Sequence, residues 1–341
     1  MIFDMNNEIF SRIRKFQILS EFFILNLILY SSAMFVLAAD DTSDSKFRFG
    51  YNVEINNIPL GAKKVTVFIP VPQSFDHQKI ENLAISSPYP YDIIKDSEYG
   101  NLAARTSAEN LDTNQIDVHM TFTMDRQSIA ALDGRYKGYD QLSKKLRKRY
   151  LSPDRMVPLD GPVLDACREA VNDNGSDLER ARDIYDYVVS TMTYDKSGIG
   201  WGRGDVIYAC NARHGNCTDF HSLFIGMARA SGIPARFIIG FPIGDSEKQG
   251  EIAGYHCWAE FYTDELGWVP VDASEASKNP EKKEYYFGNL DSHRVAFTVG
   301  RDIMFDDKEL KEPLNYFVYP RVFVDGHSHT DFEKHFRFII D

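Results

Sequence analysis

The chain has 341 residues, 43% of them hydrophobic and 13% aromatic, which is length and apolar surface enough for two cores and rules against global disorder. A formal net charge of −12 argues against nucleic acid as a partner, because neutralising phosphates takes clustered Lys and Arg. The basic run from Lys144 to Arg149 falls in a helical stretch and reads as a solvated helix face.

Residues 1–39 read as a secretory signal. Arg12, Arg14 and Lys15 precede an apolar run from Phe22 to Leu37, and Val36 with Ala38 offers a small-residue cleavage pair. The run approaches spanning length, so a retained anchor is the competing reading, weakened by Asn26, Ser31 and Ser32. Export to the periplasm, the exterior or an outward-facing membrane anchorage is expected, with membrane contact only through an uncleaved segment.

Residues 40–127 read as a β-rich, sandwich-like domain. Apolar residues alternate through Phe47, Phe49, Tyr51, Val53 and Ile55, again through Val65 to Val71, and again from Ile116 to Met124. From residue 128 to 300 the spacing turns helical and then alternates once more. Val163, Leu164, Cys167, Ala170 and Val171 form one helical stripe, with Cys167 as a core residue. Leu178, Ala181, Tyr185, Val188 and Met192 form another, opened by the capping pair Ser176 and Glu179. A third helix is capped by Asn216, runs through Phe220, Leu223, Phe224 and Met227, and stops at Gly232 before Pro234. Strands follow at 236–241, 255–262 and 268–272, so the expected class is α+β. Residues 301–341 read as a β-hairpin extension turned at Asp325-Gly326, with His327, His329 and His335 solvated.

Cys217 opens the third helix, where backbone N–H groups and the positive dipole end favour a thiolate. A nearby imidazole is also needed. His256 is the candidate base, and alternation places it with Trp258 on one strand face and Cys257 on the other. Asp272 ends the next strand and can lie beside His256 after one reversal, orienting the ring and stabilising imidazolium.

Gly-Asn-Cys-Thr-Asp-Phe-His-Ser-Leu-Phe at 215–224, Ala-Ser-Gly-Ile-Pro-Ala-Arg at 230–236 and the two strand motifs resemble the transglutaminase-like superfamily, in particular its exported bacterial members with an amino-terminal β domain. The resemblance implies a papain-like α+β core with Cys217 as nucleophile, His256 as base and Asp272 as orienter. Thiol chemistry at these positions implies acyl transfer or amide hydrolysis on a protein or peptide amide, a cell-wall peptide among the candidates, and with no calcium-loop or nucleotide motif in the sequence no cofactor is expected. Trp201 stands where relatives also tend to carry tryptophan; its indole N–H could join the Cys217 N–H as an oxyanion donor, or the ring could wall the acyl cleft.

Three rival readings use the same residues. Cys217, His221, His256 and Cys257 could ligate zinc, although alternation sends His256 and Cys257 to opposite faces. A Cys210–Cys217 disulfide would leave a non-catalytic binding module. Asn216-Cys217-Thr218 matches a glycosylation acceptor, but capping explains Asn216. His221, one turn along the helix from Cys217, leaves no cleft for substrate as a base and reads as structural.

Overall fold

The computed structural model describes residues 44–133, 141–244 and 247–340; the expected signal segment lies outside them. Two five-stranded antiparallel sheets form a sandwich. The first runs β11 (Gln249–Glu251), β18 (Phe332–Ile340), β1 (Ser45–Ile55), β6 (Ile116–Arg126), β3 (Gln78–Ser86). The second runs β17 (His327–His329), β16 (Arg321–Val324), β2 (Lys64–Val71), β5 (Leu102–Glu109), β4 (Tyr91–Lys95).

Register makes the alternation productive. Phe47, Phe49, Tyr51, Val53 and Ile55 pair with Met124, Phe122, Met120, Val118 and Ile116, so ten apolar side chains leave one face of two neighbouring strands and are buried. Strand β2 is buried on both faces. Val65, Val67, Ile69 and Val71 join the sandwich core, while Phe68 packs outward against Ile303, Phe305, Leu310, Leu314 and Phe317. Residues 303–317 therefore cover the outer face of the second sheet.

The carboxy-terminal segment does more than form a hairpin. Asp325-Gly326, both at positive φ, turn β16 into β17 as expected. Strand β18 then crosses to the first sheet and lies between β11 and β1. Tyr51, at 0% exposure, ties the two ends together through a hydrogen bond from its hydroxyl to the Val318 carbonyl at 3.0 Å.

Between these strands the chain forms helices α1 (Lys144–Tyr150), α2 (Pro162–Ala170), α3 (Asp177–Thr191), α4 (Val206–Ala212), α5 (Cys217–Ala230) and α6 (Ala273–Lys278). A third antiparallel sheet runs β13 (Gly267–Val271), β12 (His256–Thr263), β10 (Ala235–Pro242), β15 (Arg294–Val299). Short pairs complete the strands: β7 (Ile129–Ala130) with β14 (Asn289–Leu290), and β8 (Thr193–Tyr194) with β9 (His214–Gly215). The class is α+β, with a helix bearing Cys217 packed on antiparallel strands.

Two helices depart from the amphipathic reading. Helix α5 is buried on every side from Cys217 to Arg229, because Gly226, Ala228, Thr218 and Ser222 let neighbours approach where a stripe helix would meet water. It closes with a Schellman arrangement: Ile233 N–H donates to the Ala228 carbonyl and Gly232 N–H to that of Arg229, with Gly232 at φ +81°. On α2, Val163 and Ala166 take the buried positions and Cys167 is only half-buried. Helix α1 exposes Lys144, Lys145 and Lys148, but Arg149 turns inward to Asp154 (2.5 Å) and Glu98 (2.8 Å). Asp154 also binds Arg229, whose side chain is fully buried, at 2.7 Å.

Candidate active site

Cys217 is the first residue of α5. Its helix start is built from side chains: Asn216 Oδ1 accepts from Thr218 N–H at 2.9 Å, and Asp219 Oδ2 accepts from Asn216 N–H at 3.0 Å, a reciprocal capping box. Asp219 also takes the N–H groups of Gly202 (2.7 Å) and Gly204 (3.1 Å), pinning the loop that carries Trp201 to the same helix end. Burial pushes the Asp219 carboxyl up, against those three donors. Gly204 sits at φ +61° with an added Cβ 2.5 Å from Ser222 Oγ, so only glycine lets this loop lie so close to the helix.

His256 begins β12 and Asp272 follows β13. His256 Nε2 bonds Asp272 Oδ2 at 2.7 Å, which leaves Nδ1 available to a thiol. Asp272 is fully buried and heavily committed. Its Oδ2 takes Arg294 Nη1 as well (2.9 Å), while Oδ1 accepts from Ser274 Oγ (3.0 Å) and from Glu275 N–H (3.1 Å) as the cap of α6.

The electrostatics follow from these contacts. A hydrogen bond from Cys257 lowers the Cys217 pKa first, burial opposes it, and the hydrogen bond and charge of His256 take the thiol well below its ordinary range. Burial drives His256 down, but the Asp272 charge and hydrogen bond and the Cys217 sulfur overcome it, raising the imidazole to about 10. Burial would raise Asp272; His256 and Arg294 outweigh it and keep the carboxylate ionised. Both shifts run in the direction that favours a thiolate and an imidazolium.

Cys257 and His221 lie against the nucleophile candidate. His221 is fully buried; its Nε2 accepts the Ala273 N–H at 3.2 Å and its Nδ1 lies 3.6 Å from Cys257 Sγ. Burial lowers it to about 4, so it stays neutral. Strand alternation does hold along β12. Phe261, in step with Cys257, packs on Phe224 of α5, while Glu260 and Tyr262, in step with His256, line a cavity of about 580 Å³ on the other face. His256 and Cys257 therefore belong to opposite faces of the strand, His256 as its first residue. All four cysteines are free thiols, including Cys210 on α4.

Trp201 is half-buried in the loop held by Asp219. Tyr255 lies over the helix start, its hydroxyl 2.8 Å from Thr218 Oγ1 and 3.0 Å from Asn216 Nδ2. Behind it stand Tyr316 and Tyr319 of the carboxy-terminal segment, with ring centroids 5.8 and 5.7 Å away. Arg301, fully buried, binds Ser222 Oγ (2.7 Å) and the carbonyls of Gly204 and Arg203. Sequence reasoning missed Arg294, Tyr255, Tyr316 and Arg301 as parts of the site. Only Asp219 carried a local signal, three residues after its cap.

Residues 165–273 match the family model of the transglutaminase-like superfamily. This chain carries a transglutaminase-like core. The match runs from the middle of α2 to the first residue of α6 and includes Cys217, His256 and Asp272. A protein of uncharacterised function from Haemophilus influenzae is 28% identical over 321 residues, spanning 82% of this chain and 87% of its own. The YebA protein of Bacillus subtilis, also uncharacterised, is 26% identical over 163 residues, 41% of this chain and 22% of its own. A solved structure described as a candidate cysteine protease from Cytophaga hutchinsonii superposes with a TM-score of 0.59 at 16% identity, covering 88% of this chain and 98% of that one. That likeness concerns the fold, and it extends the shared architecture beyond the transglutaminase-like core to most of the chain.

Proposed function

We propose that this chain is an exported thiol enzyme that forms a thioester at Cys217 and passes the acyl group to water or to an amine. The carrying observation is the 2.7 Å bond between His256 and Asp272 beside a cysteine at the start of a buried helix.

In this reading the Cys217 thiolate attacks a carboxamide or peptide carbonyl. The Cys217 N–H, at the helix end, donates to the oxyanion, and the Trp201 indole either supplies a second donor or walls the acyl cleft. Imidazolium at His256 gives its proton to the departing amine, and the thioester remains. Neutral His256 then takes a proton from the incoming water or amine, collapse releases Cys217, and the pair is restored. Asp272 holds the ring through Nε2 in both steps. The substrate class is a protein or peptide amide, a cell-wall peptide among the candidates, and export rests on the order of charge and hydropathy in residues 12–39.

Intact-mass trapping with a panel of peptidyl glutamines, cell-wall stem peptides and simple amides tests this directly. A thioester adduct on Cys217, absent from Cys217→Ala, is expected with at least one of them. No adduct, together with a Cys217 whose alkylation follows ordinary thiol pH dependence and ignores His256→Ala, would overturn it.

A further inference from the structure

Asp272 divides its two oxygens by task. Oδ1 accepts from Ser274 Oγ at 3.0 Å and from Glu275 N–H at 3.1 Å, and these two bonds fix the carboxyl group whatever its other oxygen holds. Oδ2 takes two donors, His256 Nε2 at 2.7 Å and Arg294 Nη1 at 2.9 Å. Arg stays charged at every working pH, and like charges within about 6 Å disfavour one another. A carboxylate oxygen shared with a guanidinium therefore binds imidazolium less tightly than one given to the imidazole alone.

The guanidinium is fixed as firmly as the carboxylate. Asp291 grips its far side, Oδ2 on Nη2 and Oδ1 on Nε at 3.3 Å, and its carbon lies 5.2 Å over the Trp258 ring centroid. Arg294 opens β15, the edge strand of the third sheet, and side-chain amides of the sandwich close that edge. Gln78 pairs both ways with the Ala296 backbone at 2.9 Å, and Asn101 both ways with that of Val299 at 2.8 Å. With its side chain 4% exposed, Arg294 has no water to turn to in place of Asp272.

We propose that Arg294 is a positioning residue of the reaction, acting on His256 through Asp272: by sharing Oδ2 it loosens the carboxylate's hold on the imidazolium, so that the ring can pass its proton to the leaving amine and then serve as a base. The inference rests on the function proposed above and adds a residue to it. The other groups facing His256 and Asp272 are Cys217 and His221 on α5, Cys257 on β12, Tyr185 on α3, Tyr194 on β8, Tyr286 ahead of β14, and Glu275 with Lys278 on α6. His221 stays neutral, burial keeps the tyrosines protonated, and Lys278 is paired with Glu275. Among the described residues, Arg294 thus brings the one lasting positive charge to this carboxylate.

The test is the nitrogen-15 chemical shift of the His256 ring in the full chain labelled at histidine, its signal assigned by its loss in His256→Ala. The readout is the ratio of neutral to protonated ring at pH 9. Because the Oδ1 bonds keep Asp272 in place, Arg294→Met should lower that ratio roughly tenfold, a midpoint about one pH unit higher. Arg294→Lys restores a positive charge and should recover more than half of the shift. Asp291→Asn, at a side chain 15% exposed, leaves the guanidinium without its neutralising partner and should raise the ratio roughly threefold. A purely structural role predicts the reverse for Arg294→Met, since a displaced Asp272 would let the imidazolium go. An unchanged or raised ratio in cooperatively melting Arg294→Met therefore overturns the proposal. If Arg294→Met does not fold, Asp291→Asn decides, and an unchanged or lowered ratio there overturns it. A thioester trapped on Cys217 with ratios that ignore Arg294 and Asp291 sinks this inference alone. Ratios that move as expected while no amide of the panel forms a thioester sink the proposed function and leave the coupling of Arg294 to His256 standing.

Discussion

Asp272 illustrates how much one side chain carries here. Its Oδ2 orients His256 and its Oδ1 caps α6, so Asp272→Asn can keep the cap through the amide oxygen while losing the charge. Turnover should fall on the order of 10³–10⁴-fold, with Cys217 still alkylatable, when initial rates and labelling are compared on one preparation. The pH dependence has a definite sign. His256 at about 10 lies above its ordinary 6.5, so the stability it adds is complete below pH 6.5 and is lost as pH rises through about 10. Turnover should decline over the same alkaline limb as the imidazolium that protonates the leaving amine disappears, and urea melts at pH 6 and pH 10.5 should show the loss of stability. Asp154 behaves oppositely. Its carboxyl is held below the usual range, burial opposing and Arg229 then Arg149 prevailing, so its contribution is present near neutrality and is lost on acidification. Asp154→Asn strands the fully buried Arg229 and should cost about 3–5 kcal/mol in denaturant titration.

At the scale of elements, the start of α5 governs both stability and chemistry. Asn216→Ala removes the cap to Thr218 and the contact with Tyr255, and should cost about 1 kcal/mol in chemical melts while raising the pH needed for rapid Cys217 alkylation. Much of this was legible in the sequence. The caps Asn216 and Ser176, the stop at Gly232 and the turn at Asp325-Gly326 all obey local rules that need no tertiary partner. The alternation that buries one face of β1 and of β6 follows from period two alone. The unreadable part depends on neighbours distant in sequence: Arg294 reaches Asp272 across 22 residues, and Arg301 reaches Ser222 across 79. Helix α5 read as a stripe because alternating small residues carry no moment, although they are what admits packing on all sides.

For the molecule as a whole, the boundary expected near residue 300 does not separate the site from the carboxy-terminal segment. Arg301, Tyr316 and Tyr319 brace the loop and helix that hold Cys217, and β18 lies beside β1 in the first sandwich sheet. A fragment ending at residue 300 should therefore lose cooperative melting by circular dichroism, because β1 keeps only one neighbour and Tyr51 loses both Phe336 and the Val318 carbonyl.

The pairing of Phe47 with Ile340 also sets an order of events in time. Closing a sheet between positions nearly three hundred residues apart carries a large loop-closure cost and makes folding slow, since the edge of β1 has no partner on that side until residues 332–340 have left the ribosome. A chain delayed in this way spends longer without its final tertiary structure after synthesis. For a protein proposed to leave the cytoplasm, that delay keeps it threadable through a narrow channel and postpones assembly of a reactive thiol until it has arrived.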